Sequence, residues 1–189
     1  MLRGLHYAID DNPGDVVVVL HQLGNHGPSY YKRYPEGLRR FTPDCRNADL
    51  GKCTRQQIVN AYDNAVLATD DFLGKAIRML EQDQSHDTGL IYVSDHGESL
   101  GEANVYLHGL PYAIAPDTQI KVPMVMWMSE GMKSSNNLDL QCVRDRSKRP
   151  ASHDNLFHSV LGLMQVRTKS LDESLNLFSG CSINSGSTP

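Results

Sequence analysis

The sequence predicts a layered α/β fold in which a central, mostly parallel sheet is flanked by helices. Val16–Leu20 is an unbroken β-branched and apolar run, typical of a strand buried on both faces. From Thr54 to Gln82, apolar residues recur at helical spacing. Leu90–Val93 then forms a second apolar run. Strands that alternate with helices indicate an α/β sheet, and ligands of such sheets bind beyond the carboxyl ends of the strands.

The remaining regular elements follow from the same local patterns. Met1–Asp11 has apolar residues at helical spacing, and Thr54 begins a capping box for the long helix that follows. A third strand is expected at Lys121–Met128, where Pro123 favours the start of a strand or an edge. Asp154–Met164 carries an apolar helical stripe and is predicted to be the last helix.

The segments between these elements are predicted to be loops. They lack apolar periodicity or are rich in glycine and proline, and they comprise Ser29–Cys53, Gly101–Thr118 and Ser129–Ala151. Residues 1–181 are expected to belong to one domain, and residues 182–189 to form a disordered tail.

Composition and charge exclude several classes of function. The chain has 189 residues and a net charge of -4, without a long basic run, so nucleic acid is not an expected partner. Its longest apolar runs are far shorter than the roughly 20 residues that span a bilayer. The first residues also lack the basic flank and apolar core of an export signal.

The four cysteines favour disulfide bonds over a metal cluster, since none has the C-x-x-C spacing. Of the three possible pairings, Cys45 with Cys53 and Cys142 with Cys181 leaves the shortest loops. Two disulfides indicate an oxidising compartment such as the periplasm. The alternative is four reduced, buried thiols.

The strongest candidates for chemistry follow the second predicted strand. Asp95 offers an oxygen ligand and His96 an imidazole nitrogen, a mixture that suits Zn²⁺. Gly97 allows the backbone to turn sharply, and Glu98 can orient a ligand from behind it. Taken alone, the motif also fits a turn whose histidine is satisfied by hydrogen bonds, which is the commoner case.

Two further histidines lie in loops that are expected to face the same crevice. His26 follows the first predicted strand, and His108 lies in a loop flanked by glycine and proline. Singly, each is more often a surface imidazole. Together with His96 and an acid, they resemble a centre for metal-assisted phosphoryl transfer.

Lys32 and Arg33 are candidates to bind an anionic headgroup, with a solvated loop as the simpler alternative. No nucleophile elbow or phosphate-binding glycine loop occurs.

Five stretches, in the same order, carry a resemblance to a known family. They are Val17–Pro35, Phe41–Cys45, Ala61–Asn64, Tyr92–Glu102 and Tyr106–Gly109. These stretches resemble the lipid A phosphoethanolamine transferases, which include the mobile colistin-resistance enzymes and belong to the alkaline phosphatase/sulfatase superfamily. The resemblance extends from about Leu2 to Cys181.

The resemblance implies a sulfatase-like periplasmic catalytic domain, of which residues 1–181 would be the C-terminal portion, incomplete at its N-terminus. A membrane-embedded N-terminal region would hold this domain at the periplasmic face of the bacterial inner membrane. The implied reaction moves phosphoethanolamine from phosphatidylethanolamine to lipid A through a phosphothreonine intermediate, which confers polymyxin resistance.

The resemblance also implies roles for particular residues. Asp95 and His96 match two ligands of the catalytic zinc. His26 and His108 match histidines that contact the phosphoryl group or hold additional zinc, and that serve in proton transfer. Both predicted cysteine pairs match disulfides found in the family.

The family's membrane helices, nucleophilic threonine and upstream glutamate ligand match nothing in this sequence. We therefore expect the isolated chain to be inactive and to bind zinc weakly, because two primary ligands are too few for a tight site. A family member that acts on another periplasmic acceptor, such as a core sugar or glucan, is the alternative.

Overall fold

The computed structural model describes residues 1–183, in which helices and short strands alternate. The helices of this part are α1 Leu2–Asp10, α2 Arg55–Gln82, α3 Asp117–Ile120, α4 Glu130–Ser135, α5 Leu140–Arg146 and α6 Asp154–Leu163. Its strands are β1 Gly89–Val93, β2 Ser99–Leu100, β3 Tyr106–Leu107 and β4 Met124–Met128. β1 and β4 are neighbours in one sheet, while β2 and β3 form an antiparallel pair in another.

Helix α2 is the longest element, with 28 residues, and it follows the predicted bounds. The predicted capping box is confirmed at its start. The side-chain oxygen of Gln57 accepts a hydrogen bond from the Thr54 backbone N–H at 2.8 Å, and Thr54 Oγ1 accepts one from the Gln57 N–H at 3.3 Å. Ile58, Ala61 and Ala65 recur at helical spacing and are fully buried. Local capping and an apolar face are thus sufficient to specify this helix.

Four other predicted elements are confirmed, with small shifts at their ends. α1, β1 and α6 each begin and end within one residue of the expected bounds. β4 begins at Met124 rather than at Lys121. Pro123 precedes it and has no N–H to donate to a ladder, which explains the later start.

The prediction of a strand at Val16–Leu20 is wrong. This segment is irregular, and no strand within residues 1–183 pairs with it. Val17 is 54% exposed and Val19 is 84% exposed, so the run is not buried on both faces. A β-branched run favours extended backbone, but a strand also needs a hydrogen-bonded neighbour, which composition cannot supply.

The expected connection Ser129–Ala151 contains two short helices, α4 and α5. Both helices begin at a side-chain cap. Ser129 Oγ accepts a hydrogen bond from the Met132 N–H at 3.1 Å, and Asp139 Oδ1 accepts one from the Gln141 N–H at 2.8 Å. Helices of six and seven residues are too short to display a clear apolar period, so their caps were the available signal.

The other two predicted loops are largely irregular, but each contains short ordered pieces. Ser29–Cys53 includes the 3₁₀ turns Tyr30–Lys32, Glu36–Leu38 and Leu50–Lys52. Gly101–Thr118 includes strand β3 and the first residues of α3. These pieces are below the length at which periodicity can be detected.

The predicted disulfide bonds are both present. Cys45 is bonded to Cys53 and Cys142 to Cys181, with Cα–Cα distances of 5.7 Å and 5.4 Å. Reduced thiols, the alternative, are therefore not found at these positions.

The expected tail, residues 182–189, is described only at its start. Ser182 forms a bridge with Leu138, and the Ile183 N–H donates to the Asn137 carbonyl at 2.8 Å. Residues 184–189 lie outside the described part.

The chain divides into two units by its internal contacts. The first comprises Met1–Met79 and Ile91–Val125, and the second comprises Leu80–Leu90 and the chain from Met126 onward. Every predicted zinc and catalytic residue lies in the first unit, whose core is formed by Tyr30, Cys45, Ile58 and Ala61. Among the helices of residues 1–183, none combines the length with the apolar character that a membrane span needs.

Candidate metal centre

Three loops of the first unit bring His26, His96 and His108 together. One potential ligand atom of each histidine lies within 4.8 Å of those of the other two. The rings of His96 and His108 are stacked with centroids 3.9 Å apart, and His26 meets them edge-on at 5.7 Å and 4.8 Å. The expected convergence of these histidines is therefore found.

The hydrogen bonds of the three rings assign the same tautomer to each. Every Nδ1 contacts an oxygen that can only accept: the Gly27 carbonyl for His26 at 2.7 Å, the Gly97 carbonyl for His96 at 3.0 Å, and Glu98 Oε1 for His108 at 2.9 Å. Nδ1 must therefore carry the hydrogen in each ring. In the neutral form of each ring this tautomer leaves the lone pair on Nε2, the atom with which such an imidazole binds a metal ion.

Asp95 lies beside this cluster but is not one of its three members. Its side chain is 78% exposed, and Oδ1 is 3.9 Å from Nε2 of His96. The same oxygen accepts a hydrogen bond from the His96 backbone N–H at 3.0 Å. A carboxylate oxygen and an imidazole nitrogen thus face one region of space, as the predicted ligand pair requires.

The turn after His96 depends on glycine. A Cβ at Gly97 would lie only 2.0 Å from the backbone oxygen of Thr118. The Gly97 N–H donates to the Gln119 carbonyl at 2.9 Å, which ties the loop to α3. Only a residue without a side chain permits this close approach, so Gly97 determines where His96 is placed.

Glu98 is a buried acceptor that connects the histidine loops. Its Oε1 accepts hydrogen bonds from the Gly27 N–H at 3.2 Å and from His108 Nδ1 at 2.9 Å. Its Oε2 accepts one from the Tyr30 hydroxyl at 2.6 Å. The carboxylate therefore contacts a candidate ligand directly, as the prediction that Glu98 orients a ligand requires.

The basic residues expected to grip a headgroup contact other parts of the protein. Lys32 Nζ lies 5.7 Å from the centre of the Tyr31 ring, over its face. Arg33 Nε donates to the backbone carbonyl of His26 at 2.9 Å. In this structure Arg33 supports the His26 loop.

The sequence analysis did not identify Tyr30 as part of the site. Its side chain is 1% exposed and its ring meets that of Tyr62 edge-on, with centroids 5.6 Å apart. Burial raises the pKa of Tyr30, and the hydrogen bond to Glu98 raises it further. The hydroxyl therefore remains a donor. No local signal reveals this contact, because 68 positions separate Tyr30 from Glu98.

Comparison with known proteins identifies close relatives. The chain is 47% identical over 171 residues to phosphoethanolamine transferase EptA of Escherichia coli K12, a match that covers 89% of this chain and 31% of the relative. It is 52% identical over 129 residues to phosphatidylethanolamine transferase Mcr-1 of Escherichia coli, which covers 67% of this chain and 24% of the relative. The chain thus spans less than a third of the length of these relatives.

Solved structures confirm the predicted sulfatase-like α/β fold. The soluble domain of lipooligosaccharide phosphoethanolamine transferase A from Neisseria meningitidis superposes with a TM-score of 0.93 at 42% identity, covering 96% of this chain and 55% of that one. The C-terminal periplasmic domain of EcEptC from Escherichia coli, in complex with Zn, has a TM-score of 0.79 at 22% identity. That match covers 95% of this chain and 49% of the other, and it supports the fold alone.

The family assignment follows from a match over most of the chain. The family model described as Sulfatase matches residues 1–166. This agrees with the resemblance carried by the five sequence stretches and with the fold of the solved relatives. The chain therefore belongs to the Sulfatase family.

Proposed function

We propose that this chain supplies part of a zinc centre in a transferase that moves phosphoethanolamine from phosphatidylethanolamine to lipid A. The observation that carries the proposal is the set of three clustered imidazoles, each oriented by a contact between its Nδ1 and an oxygen acceptor. The names of the relatives indicate the group that is transferred.

The donor set fits zinc in its chemistry. Imidazole nitrogen and carboxylate oxygen are both ordinary zinc ligands, and Asp95 and His96 present one of each. The hydrogen bonds at Nδ1 fix the orientation of each ring, as is usual for histidines that bind metal ions. We therefore assign Asp95 and His96 as zinc ligands.

His26 and His108 are assigned to the phosphoryl group. When bound, zinc supplies Lewis-acid stabilisation of charge on phosphoryl oxygens. The ring of His108 lies 3.9 Å from that of His96 and has Nε2 available to accept a proton. His26 is 4.8 Å from His108, so both imidazoles can contact one phosphoryl group placed beside His96. A second zinc ion at these histidines is the other role that the resemblance implies.

The location and the partners are part of the same proposal. The relatives include a phosphatidylethanolamine transferase and a lipooligosaccharide phosphoethanolamine transferase. Two disulfides in this chain fit an oxidising compartment. We infer a site at the periplasmic face of the inner membrane, with phosphatidylethanolamine as donor, lipid A as acceptor, and polymyxin resistance as the result.

Zinc titration by calorimetry tests the metal centre. We expect the wild-type chain to bind zinc and His96→Ala to bind it at least tenfold more weakly, since it loses a direct ligand. His6→Ala is the matched control, because this histidine is 65% exposed on α1 and forms an ion pair with Asp10 of the same helix. Absence of zinc binding in the wild type, or equal binding by the His96 variant, contradicts the proposal.

A chimera tests the reaction. In this experiment the chain replaces the corresponding segment of Escherichia coli EptA, and transfer of labelled phosphoethanolamine to lipid A is measured. We expect the chimera to transfer the label, His108→Ala to abolish transfer, and the isolated chain to be inactive because it provides no identified nucleophile. Transfer to a core sugar or glucan instead would favour the alternative acceptor.

A further inference from the structure

We propose that Tyr30 is a positioning residue that orients the imidazole of His108 through Glu98. This inference rests on the proposed zinc and phosphoryl centre. It adds to that centre a residue that would contact neither the zinc ion nor the phosphoryl group. The chain of contacts runs from the Tyr30 hydroxyl to Glu98 Oε2 at 2.6 Å, and from Glu98 Oε1 to His108 Nδ1 at 2.9 Å.

The tyrosine itself is held firmly in place. Its ring belongs to the core cluster of the first unit and packs against Tyr62 of α2. The turn around it is closed by a hydrogen bond from the Arg33 N–H to the Tyr30 carbonyl at 2.9 Å. A Cβ at Gly27 would lie 2.7 Å from the Tyr30 hydroxyl oxygen, so this oxygen also abuts the backbone that follows His26.

The buried carboxylate has few ways to orient itself. The Glu98 side chain is 4% exposed, so its oxygens depend on protein donors rather than on bulk water. Because Tyr30 occupies Oε2, Oε1 is the oxygen that faces Gly27 and His108. Without the hydroxyl, Oε2 loses its donor and the carboxylate can rotate to satisfy it, which would release the ring of His108.

The protonation state of Tyr30 supports this role. Its pKa is raised by burial and by the neighbouring carboxylate, so the hydroxyl is a donor at neutral pH. The orientation of the carboxylate therefore does not depend on titration of the tyrosine.

The chain contains a matched control for this contact. Tyr34, four residues later, donates to Asp44 Oδ2 at the same distance of 2.6 Å, and it is 8% exposed. The two tyrosines make the same kind of hydrogen bond to a buried carboxylate in the same unit. The side-chain partners of Asp44 within residues 1–183, however, are Tyr34, Arg39 and Arg46, and none of them is a histidine.

The experiment compares Tyr30→Phe with Tyr34→Phe in the full chain. In the EptA chimera, transfer of labelled phosphoethanolamine should fall about tenfold for Tyr30→Phe, the usual effect of losing a group that orients a functional histidine, and change less than twofold for Tyr34→Phe. In protein labelled with ¹⁵N-histidine, NMR should show a shifted or broadened His108 Nδ1–H signal in Tyr30→Phe alone. Equal effects of both variants, or an unchanged His108 signal, overturn the proposal.

Glu98→Gln tests whether Tyr30 acts through Glu98 or independently of it. It leaves Tyr30 packed, and it should itself reduce transfer by the chimera and shift the His108 signal. Adding Tyr30→Phe should then cause no further loss of transfer. A further tenfold loss in the double variant would show that Tyr30 acts independently of Glu98. Should Tyr30→Phe fail to fold, Glu98→Gln decides by the same two readouts. A wild type that binds no zinc refutes the proposed function, whereas the NMR comparison still tests the positioning role.

Discussion

Two buried tyrosines from one short segment each donate to a buried carboxylate, yet the two pairs differ in what surrounds them. Asp44 accepts from Tyr34, and Arg39 contacts its other oxygen through Nε at 2.8 Å and a terminal nitrogen at 2.5 Å. Glu98 accepts from Tyr30, a backbone N–H and His108. One carboxylate is paired with a guanidinium, and the other with groups of the candidate metal centre.

This difference in partners indicates that the Tyr34–Asp44 pair contributes to stability and the Tyr30–Glu98 pair to function. Two nitrogens of Arg39 donate to one oxygen of Asp44, whose side chain is 0% exposed, and the positive charge stabilises the ionised carboxylate. Within residues 1–183, no arginine or lysine forms an ion pair with Glu98, and its potentially cationic partner is the imidazole of His108. Substitutions in the Asp44 cluster should therefore change the stability of the fold, whereas substitutions in the Glu98 cluster should change ligand binding.

The largest effect on stability is expected from Arg39→Met. The substitution leaves the buried carboxylate of Asp44 without its main counter-charge, which should lower the midpoint of urea denaturation, while zinc affinity should stay unchanged. Arg46→Met is the control, since Arg46 is 49% exposed and lies 3.8 Å from Asp44. A midpoint for Arg39→Met no lower than that for Arg46→Met would contradict the assigned role.

Gly97→Ala should affect the metal centre more than the rest of the protein. The added Cβ would collide with the Thr118 carbonyl, so the loop carrying His96 must move. We expect a loss of about 1–3 kcal/mol in unfolding free energy together with loss of zinc binding. Gly37→Ala is the matched control, because a Cβ there meets nothing within 4 Å. Retention of zinc affinity by Gly97→Ala would show that the loop tolerates displacement.

The acid dependence of stability should report on the ionisation of Asp44. Burial opposes ionisation of Asp44, but hydrogen bonds from Arg39 and Tyr34 outweigh it and lower the pKa of Asp44 below its ordinary value of 3.8. Because the folded-state pKa is depressed, this stabilisation is present above about pH 4 and is lost as the pH falls through the folded-state value. Asp44→Asn should be less stable at neutral pH but lose less stability on acidification. Parallel pH curves for the two proteins would contradict this.

The smallest effect is expected from Arg33→Ala. This substitution removes the hydrogen bond to the His26 carbonyl, one neutral acceptor at a half-buried position, so transfer by the EptA chimera should fall by about two- to fivefold. Lys32→Ala is the control, because the Lys32 ammonium lies over the Tyr31 ring and not at the His26 loop. Equal transfer by the two variants would show that Arg33 does not support His26.

Helix α2 and the His96 loop show how much could be predicted locally. The helix was specified by Thr54 and Gln57 at its start and by an apolar face along its length. The Asp95-His96 motif was identified as a candidate ligand pair at the end of a strand, and the structure places its side chains next to each other. In both cases the interacting groups are neighbours in sequence, so a pattern within a few residues contains the information.

Val16–Leu20 and Tyr30 show what sequence patterns left undecided. Pairing of the valine run depends on a neighbouring strand, and residues 1–183 provide none. The Tyr30 hydroxyl meets Glu98 across 68 positions, and the same run of tyrosines looks like a surface loop in the sequence.

The sequence by itself determined the helices with strong caps or periodicity, the cysteine pairs and the identity of the candidate ligands. Only the tertiary structure decided that three histidines share one site, that Glu98 joins their loops, and that Tyr30 holds Glu98. The physical reason is the range of the interactions. Capping and helical periodicity act within a turn or two, whereas a buried carboxylate selects its donors from whichever loops the folded core brings within hydrogen-bond distance.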